Sequence, residues 1–193
     1  MSQDLQLELR GVREEDYPAL GRLTRDAYCS VHGAVIPPAY LEELADVAGR
    51  AGRASVWVLT HRDRPVAGVT YVAGGTSLAN LARHNEAEIR MLAVHPAFQG
   101  RGAGRLLLDH CVGQAGAAGA SRLWLEVASW MTLARRLYRS AGFVRRPCDD
   151  RTVGTGQTSV SLLAYVLDLR VPDPSADQTV DVGLRFADRW AGR

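Results

Sequence analysis

The sequence predicts one α/β domain built around a single strand-turn-helix segment. Its 193 residues are enough for one domain with a buried core. Short apolar runs typical of strands alternate along the chain with longer segments whose apolar residues recur at helical spacing. In order, these segments predict seven strands and about four helices, arranged β-α-α-β-β-β-α-β-α-β-β. We expect the domain to span residues 1–170 and to be followed by a tail, 171–193, that is either flexible or docked.

The N-terminal half is predicted to contain two helices followed by a hairpin. Leucines alternate over 5–9 and predict a first strand, and apolar residues at helical spacing predict helices over 15–28 and 40–48. Acidic residues at the start of the first helix suit the helix dipole. Two apolar runs, 55–61 and 66–73, are joined by an Arg-Asp-Arg-Pro turn and therefore predict a β-hairpin.

The stretch 86–108 supplies the central strand, turn and helix. Residues 87–94 form a run short and apolar enough for a buried strand, which His95-Pro96 ends because proline cannot donate a ladder hydrogen bond. A glycine-rich turn, 99–104, leads into an amphipathic helix. Since the first N–H groups of a helix lack internal partners, the segment predicts an anion site suited to a pyrophosphate. An ordinary tight connection between strand and helix is the alternative for the glycines alone.

The C-terminal half is predicted to add three strands and one helix. Apolar runs predict strands over 122–127, 143–146 and 160–169. A helix over 132–141 carries its apolar residues on one face, and Gly142 is its predicted left-handed cap. This helix lies between the first two of these strands, which completes the predicted order.

Three phosphate-binding patterns compete for the glycine-rich turn. The P-loop requires a lysine, and the chain contains none. The dinucleotide pattern G-x-G-x-x-G fails because its third glycine would fall on Arg105 or Leu107. The pattern Gln/Arg-x-x-Gly-x-Gly/Ala is met by Gln99, Gly102 and Gly104.

With the strand before it and Val94-His95-Pro96, this third pattern resembles motif A of the GNAT superfamily of acyl-CoA-dependent N-acetyltransferases. A second family element is matched downstream by Ala134, Leu137, Tyr138, Gly142 and Phe143. The resemblance extends over about residues 5–169 and is strongest over 86–143. It implies the GNAT fold, with a central, mixed and mostly antiparallel seven-stranded sheet, and acetyl-CoA as co-substrate.

The same resemblance implies two catalytic residues. Glu88 on the central strand matches a family glutamate that acts as a base through water, with Glu86 as a less favoured choice. Simple pairing of Glu88 with Arg90 or another arginine is the alternative, and water alone as the base stays open. Tyr138 resembles the family's general acid, which protonates the departing thiolate, although its helical position also suits a core tyrosine.

Backbone groups are expected to bind the cofactor, again by resemblance. Pantetheine is expected along the central strand at Leu92, Ala93 and Val94. The pyrophosphate is expected at the turn and helix start, over Gln99, Gly100, Arg101, Gly102, Ala103, Gly104 and Arg105. One departure from the family is Met131, at a position where many members carry an asparagine that contacts the cofactor.

The composition argues against several other classes of protein. A net charge of +2 without a basic aromatic patch gives no case for a nucleic-acid partner. No apolar run is long enough for a membrane span and no export signal is found, so a cytoplasmic protein without a membrane partner is expected. Cys29, Cys111 and Cys148 and the five histidines lack metal-ligand spacing, so no metal site is predicted.

The predicted function is transfer of an acetyl group from acetyl-CoA to a primary amine of a small molecule or peptide. A domain of the same fold that binds acyl-CoA as a sensor or scaffold, without turnover, is the alternative. In the family, the acceptor site is formed by loops that correspond to 28–40 and 148–158 here. Asp149-Asp150 in the second loop could attract an ammonium group, with a solvated acidic turn as the alternative, and a homodimer stays open.

Overall fold

The structure is a computed structural model that describes residues 6–30, 36–154 and 159–169. The predicted tail, 171–193, lies outside the described residues. Parts of both predicted acceptor loops, 31–35 and 155–158, lie outside them as well.

Eight strands and five α-helices form within the described residues. The strands are β1 (Glu8–Gly11), β2 (Ser55–His61), β3 (Arg64–Ala73), β4 (Ala87–Val94), β5 (Arg122–Ala128), β6 (Val144–Arg145), β7 (Arg151–Val153) and β8 (Val160–Asp168). The helices are α1 (Tyr17–Ser30), α2 (Pro38–Ala45), α3 (Val47–Ala51), α4 (Ala103–Ala117) and α5 (Thr132–Ser140). Three short 3₁₀ turns precede α1, α4 and β7.

All eight strands belong to one sheet. Seven follow the order β1-β2-β3-β4-β5-β8-β6, and β7 pairs with β8 at its other end. β4 and β5 run parallel, from the pair Ala87–Leu123 to the pair Ile89–Leu125. The other described pairings are antiparallel. Since a parallel pair needs a crossover, α4 connects β4 to β5, and the sheet is mixed and mostly antiparallel as predicted.

Helices cover both faces of the sheet. Val58 of β2 packs in one buried cluster with Leu20 of α1. The next residue, Leu59, packs in another with Leu107 of α4 and Tyr138 of α5. Because successive side chains of a strand point to opposite faces, α1 lies on one face and α4 and α5 lie on the other.

The predicted second helix is two helices. The sequence predicts one helix over 40–48, whereas α2 and α3 are separated at Asp46, whose backbone is not helical (φ −75°, ψ 75°). The Asp46 carboxylate accepts a hydrogen bond of 2.8 Å from the Gly49 N–H and caps α3. Aspartate bonds local backbone donors in this way and so interrupts helices. The described residues therefore contain five helices where about four were predicted.

An eighth strand lies inside a segment predicted to be a loop. β7 falls within 148–158 and pairs with the start of β8, from Arg151–Leu162 to Val153–Val160. Thr152 and Val153 are β-branched and suit a strand, but three residues are too few to reveal a period of two. The predicted count of seven strands is therefore corrected to eight.

Candidate active site

β4 separates from β5 halfway along its length. The parallel pairing ends at Ile89, and a bulge follows, because Arg90 faces Thr70 while Ala93 faces Gly68 on β3. Met91 takes a positive φ of 52° at this bulge. Bulges bend a strand and end its pairing. Beyond Ile89, β4 therefore no longer pairs with β5. This part of the strand includes the predicted pantetheine residues Leu92, Ala93 and Val94.

The glycine-rich turn leaves the first turn of α4 open. Gly102 has a φ of 87°, a left-handed conformation that favours glycine, and the helix begins at Ala103 without a capping side chain or an acidic residue in its first turn. Gly104 lets α4 approach its neighbours, since a Cβ there would lie 3.2 Å from Leu137 and 3.5 Å from Val94. The N–H groups of this fifteen-residue helix are therefore available to an anion.

Two side chains of the turn are bonded within the protein, whereas the backbone N–H groups are available to an anion. The Gln99 amide donates to the Val94 carbonyl at 3.0 Å and ties the turn to the end of β4. Arg105 is paired with Asp109 at 2.7 Å on the surface of α4. Arg101 is exposed and forms none of the ion pairs found in the described part of the chain. Ala103 is buried, so backbone N–H groups dominate this end of the site.

A cavity of about 430 Å³ opens where β4 and β5 separate. This volume is in the usual range for a small-molecule site. Its apolar and aromatic wall includes Tyr28, Ile36, Pro37, Tyr40, Trp130, Met131, Val153, Val160 and Leu162. Its polar wall includes Glu43, Asn80, Glu88, Arg90, Glu126 and Arg151.

Glu88 is the most buried carboxylate of this wall, with an exposed fraction of 1%. Its Oε2 accepts hydrogen bonds from three successive backbone N–H groups, at 2.8 Å from Asn80, 2.8 Å from Leu81 and 3.1 Å from Ala82. Burial raises the pKa of Glu88, and these three donors oppose that rise. The simple alternative, pairing with Arg90, does not occur, because the Arg90 guanidinium bonds Glu43 and the Leu78 carbonyl.

Glu126 is a second carboxylate in the cavity that the sequence analysis missed. Both of its oxygens accept from the Arg151 guanidinium, at 2.6 and 2.7 Å. Its Oε2 also accepts from the Asn80 side-chain amide at 2.9 Å. Asn80 therefore links the two carboxylates, through its backbone to Glu88 and through its side chain to Glu126. A charged residue within the apolar run of β5 was the available signal.

Tyr138 lies in the core beside the site. Its exposed fraction is 5%, and its ring packs near those of Phe143 and Tyr165, with centroids 6.1 and 6.5 Å away. It is not among the residues that line the cavity. Burial raises its pKa well above the usual range, so the phenol stays protonated. Its hydroxyl contributes to the raised pKa of Tyr28 in the cavity wall, after burial and Tyr40.

The cavity wall also contains a pair of tyrosines and Met131, which stands where many family members carry an asparagine. Tyr28 and Tyr40 meet edge to face, with ring centroids 6.4 Å apart, and the sequence offered no signal for this pair beyond their place in a predicted acceptor loop. Met131 precedes α5 and lines the cavity. A thioether at this place offers a flexible apolar contact where an asparagine would offer an amide.

The described residues form neither a metal site nor a membrane-spanning helix. Across the described ranges, no group of three or more His, Cys, Asp or Glu side chains could hold a metal ion. None of the helices that the structure describes is both long and apolar enough to cross a bilayer.

The chain is similar in sequence to named acetyltransferases. A ribosomal protein bS18-alanine N-acetyltransferase from Haemophilus ducreyi is 48% identical over 86 residues, which are 42% of this chain and 59% of that relative. Streptothricin acetyltransferase from Streptomyces lavendulae is 35% identical over 72 residues, which are 37% of this chain and 38% of that relative. These matches thus span less than two thirds of the curated relatives' own length.

Solved structures share the fold over nearly the whole described chain. A ribosomal-protein-S18-alanine N-acetyltransferase from Escherichia coli superposes with a TM-score of 0.64 and 23% identity, over 86% of this chain and 96% of that one. A Salmonella typhimurium protein determined with its cofactor acetyl-CoA gives a TM-score of 0.64 and 21% identity, over 87% and 98%. The predicted fold is confirmed.

The sequence profile of the acetyltransferase (GNAT) family matches residues 19–143. This range contains the bulged strand, the glycine-rich turn, α4 and α5, and it covers more than half of the 193 residues. The chain belongs to the acetyltransferase (GNAT) family.

Proposed function

We propose that this protein is an N-acetyltransferase that moves an acetyl group from acetyl-CoA to a primary amine of a small molecule or peptide. One observation carries the proposal. A cavity with a buried carboxylate opens where β4 leaves β5, and β4 continues from there to a glycine-rich turn and the open first turn of α4. The family match and the names of the relatives agree with it, since both classes of acceptor occur among those names.

The cofactor is held mainly by backbone. The pyrophosphate lies against the N–H groups of the turn and the α4 start, from Gln99 to Arg105, where the dipole of the helix favours negative charge. Pantetheine lies along Leu92, Ala93 and Val94, on the edge of β4 that β5 has left. This places the thioester in the opening between β4 and β5, next to the cavity.

The reaction needs one proton removed and one supplied. The amine nitrogen forms a bond to the thioester carbonyl carbon, the bond from carbon to sulfur breaks, and the thiolate takes up a proton. An amine with a pKa of about 10.4 is free base in only about one molecule in 10³ at neutral pH. A base is therefore worth about 10²–10⁴ in rate.

Glu88 is our candidate for that base. Its raised pKa, caused by burial, makes it a better proton acceptor than a solvated glutamate. Glu126, in the same cavity, is the second candidate, but both of its oxygens already accept hydrogen bonds from the Arg151 guanidinium. Tyr138 is our candidate for the acid that protonates the thiolate, because it matches the family's general acid in the sequence. Burial raises its pKa, so its phenol stays protonated and would act as a hydrogen-bond donor to the sulfur.

Thiol release from acetyl-CoA with a panel of amines and short peptides tests the function. We expect at least one acceptor to give turnover. Tight acetyl-CoA binding without thiol release for any acceptor would favour the alternative, a non-catalytic acyl-CoA sensor.

Substitutions in the working enzyme test the roles. Glu88→Gln should lower kcat by about 10²–10⁴ near neutral pH and recover as rising pH deprotonates the amine. Glu126→Gln is the matched comparison and should lose less. Tyr138→Phe should lower kcat with little effect on acetyl-CoA affinity, and a thioester with a more acidic thiol should restore it in part. A larger loss in Glu126→Gln than in Glu88→Gln would move the base to Glu126.

A further inference from the structure

The charges of the cavity wall are nearly all paired within the wall itself. Glu126 is bonded to Arg151 at 2.6 Å, and Glu43 lies 3.2 Å from Arg90. The carboxylate that remains, Glu88, is bonded to backbone N–H groups. Glu88 is therefore the one carboxylate of the described wall that no arginine side chain bonds.

The two stretches of sequence that interrupt the described wall contain no further carboxylate. Residues 31–35 read Val-His-Gly-Ala-Val and residues 155–158 read Thr-Gly-Gln-Thr. Neither contains an aspartate or a glutamate. Asp150, next to the wall, is paired with Arg145 on the surface.

Apart from Asn80, the remaining side chains of the wall are apolar or aromatic. Tyr28 and Tyr40 pack edge to face at one side, and Trp130, Val153 and Leu162 lie elsewhere in the lining. Such a wall gains from burying an apolar body. A polyamine or aminoglycoside would instead bring several ammonium groups beside Arg90 and Arg151, and burial of unpaired charge is costly.

We infer that the acceptor presents a single cationic amine on an apolar or aromatic body, and that Arg151, by neutralising Glu126, makes the cavity reject a second positive charge. This inference rests on the proposed function and narrows its acceptor class. The acceptor's amine lies near Glu88, the one wall carboxylate that no arginine side chain bonds. The apolar or aromatic part of the acceptor contacts Tyr28 and Tyr40.

Two acceptors with the same carbon chain, hexylamine and its diamine, provide the test. We expect the full-length protein to prefer the monoamine in kcat/KM by at least about fivefold, because repulsion between two unit charges about 4 Å apart has this effect even at the dielectric constant of water. Arg151→Gln leaves Glu126 unneutralised and should shrink the preference by about five- to tenfold. Arg151→Lys keeps the positive charge and should retain most of it.

Arg146→Gln is the matched control. Arg146 is paired with Asp149 on the surface and does not line the cavity, so its loss should leave the preference unchanged. A wild-type preference for the diamine or for spermidine would overturn the inference, as would an unchanged preference in folded Arg151→Gln. Should Arg151→Gln fail to fold, the wild-type preference alone decides. Absence of thiol release with every amine would instead defeat the proposed function, and the inference with it.

Discussion

The proposed cofactor end and the proposed acceptor end of the site both include residues of β4, yet they depend on different parts of the chain. At the cofactor end, the N–H groups of a turn and a helix start come from one contiguous segment, 99–105. At the acceptor end, the side chains of Glu43, Glu88, Glu126 and Arg151 come from four separate elements. A backbone site is sensitive to conformation, whereas a side-chain site is sensitive to the identity and pairing of each residue.

Disrupting the cofactor end should have the largest effect. Gly102→Glu forces a side chain onto a φ of 87° and places a carboxylate at the open helix start, where it competes with the pyrophosphate. We expect acetyl-CoA affinity to fall by at least about 100-fold, since charge-assisted hydrogen bonds to the phosphates are lost. Isothermal titration calorimetry measures this.

Gly113→Glu on the same helix is the control for that experiment. Gly113 is exposed, and a Cβ there meets no atom within 4 Å. The control adds the same charge and should bind acetyl-CoA as the wild type does. A folded Gly102→Glu variant with wild-type affinity would remove the turn from the cofactor site.

Loosening the link between the two carboxylates should have an intermediate effect. Asn80→Ala removes the side-chain bond to Glu126 and leaves the backbone bond to Glu88 on a less restrained loop. We expect kcat to fall about tenfold, as for one lost hydrogen bond of about 1.4 kcal/mol. Acetyl-CoA affinity should be unchanged.

The pH profile distinguishes positioning from general damage in this variant. Weaker donation to Glu88 disfavours its ionised form, so its pKa rises and the acid limb of kcat/KM moves to higher pH. Thr76→Ala, in the same loop but bonded to the Ala73 carbonyl outside the cavity, should leave the limb in place. An acid limb that stays fixed in Asn80→Ala would show that this residue does not position Glu88.

The smallest expected effect concerns the pH dependence of stability. Burial raises the pKa of Glu88 above the model-peptide value of 4.5. As pH rises from 4.5 through the folded-state pKa, the folded protein holds a proton that the unfolded chain has lost, so the free energy of unfolding falls. Glu88→Gln lacks this proton. As pH rises through this window, the difference in free energy of unfolding between the variant and the wild type should therefore shift in favour of the variant, by less than about 2 kcal/mol.

Urea unfolding at several pH values measures this difference. Glu14→Gln, at an exposed glutamate, should follow the wild-type curve. If the Glu88→Gln and wild-type curves run parallel over the whole window, the buried carboxylate titrates as it does in the unfolded chain.

Features with local sequence signals could be predicted, and features that depend on contacts between distant residues could not. The central strand, the glycine-rich turn and α4 were predictable because their signals are local. An apolar run marks the strand, a proline marks its end, and the spacing of the glycines marks the turn before the helix. The break at Asp46 and the short β7 were not, since one depends on a capping bond and the other on pairing with β8. The predicted family and fold class are confirmed, and the roles of Glu88 and Tyr138 stay predictions.

The acceptor end was predictable only in part. Glu88 was found through its resemblance to a family residue, but its three backbone donors lie in a loop that no local pattern assigns to it. Glu126 and Arg151 were missed because they are 25 residues apart and meet only when β7 folds onto β8. Side-chain pairing across a sheet requires the register, which sequence alone did not provide.

The short junction between β4 and β5 has a mechanical consequence. The sheet consists of two antiparallel halves, β1–β4 and β5–β8, joined at three residue pairs. A pantetheine arm along the open edge of β4 would act as a removable strand that extends this seam. Backbone amides of β4 beyond Ile89 should then exchange hydrogen more slowly while the arm is in place, so that cofactor binding and release would alternately stiffen and relax the middle of the protein.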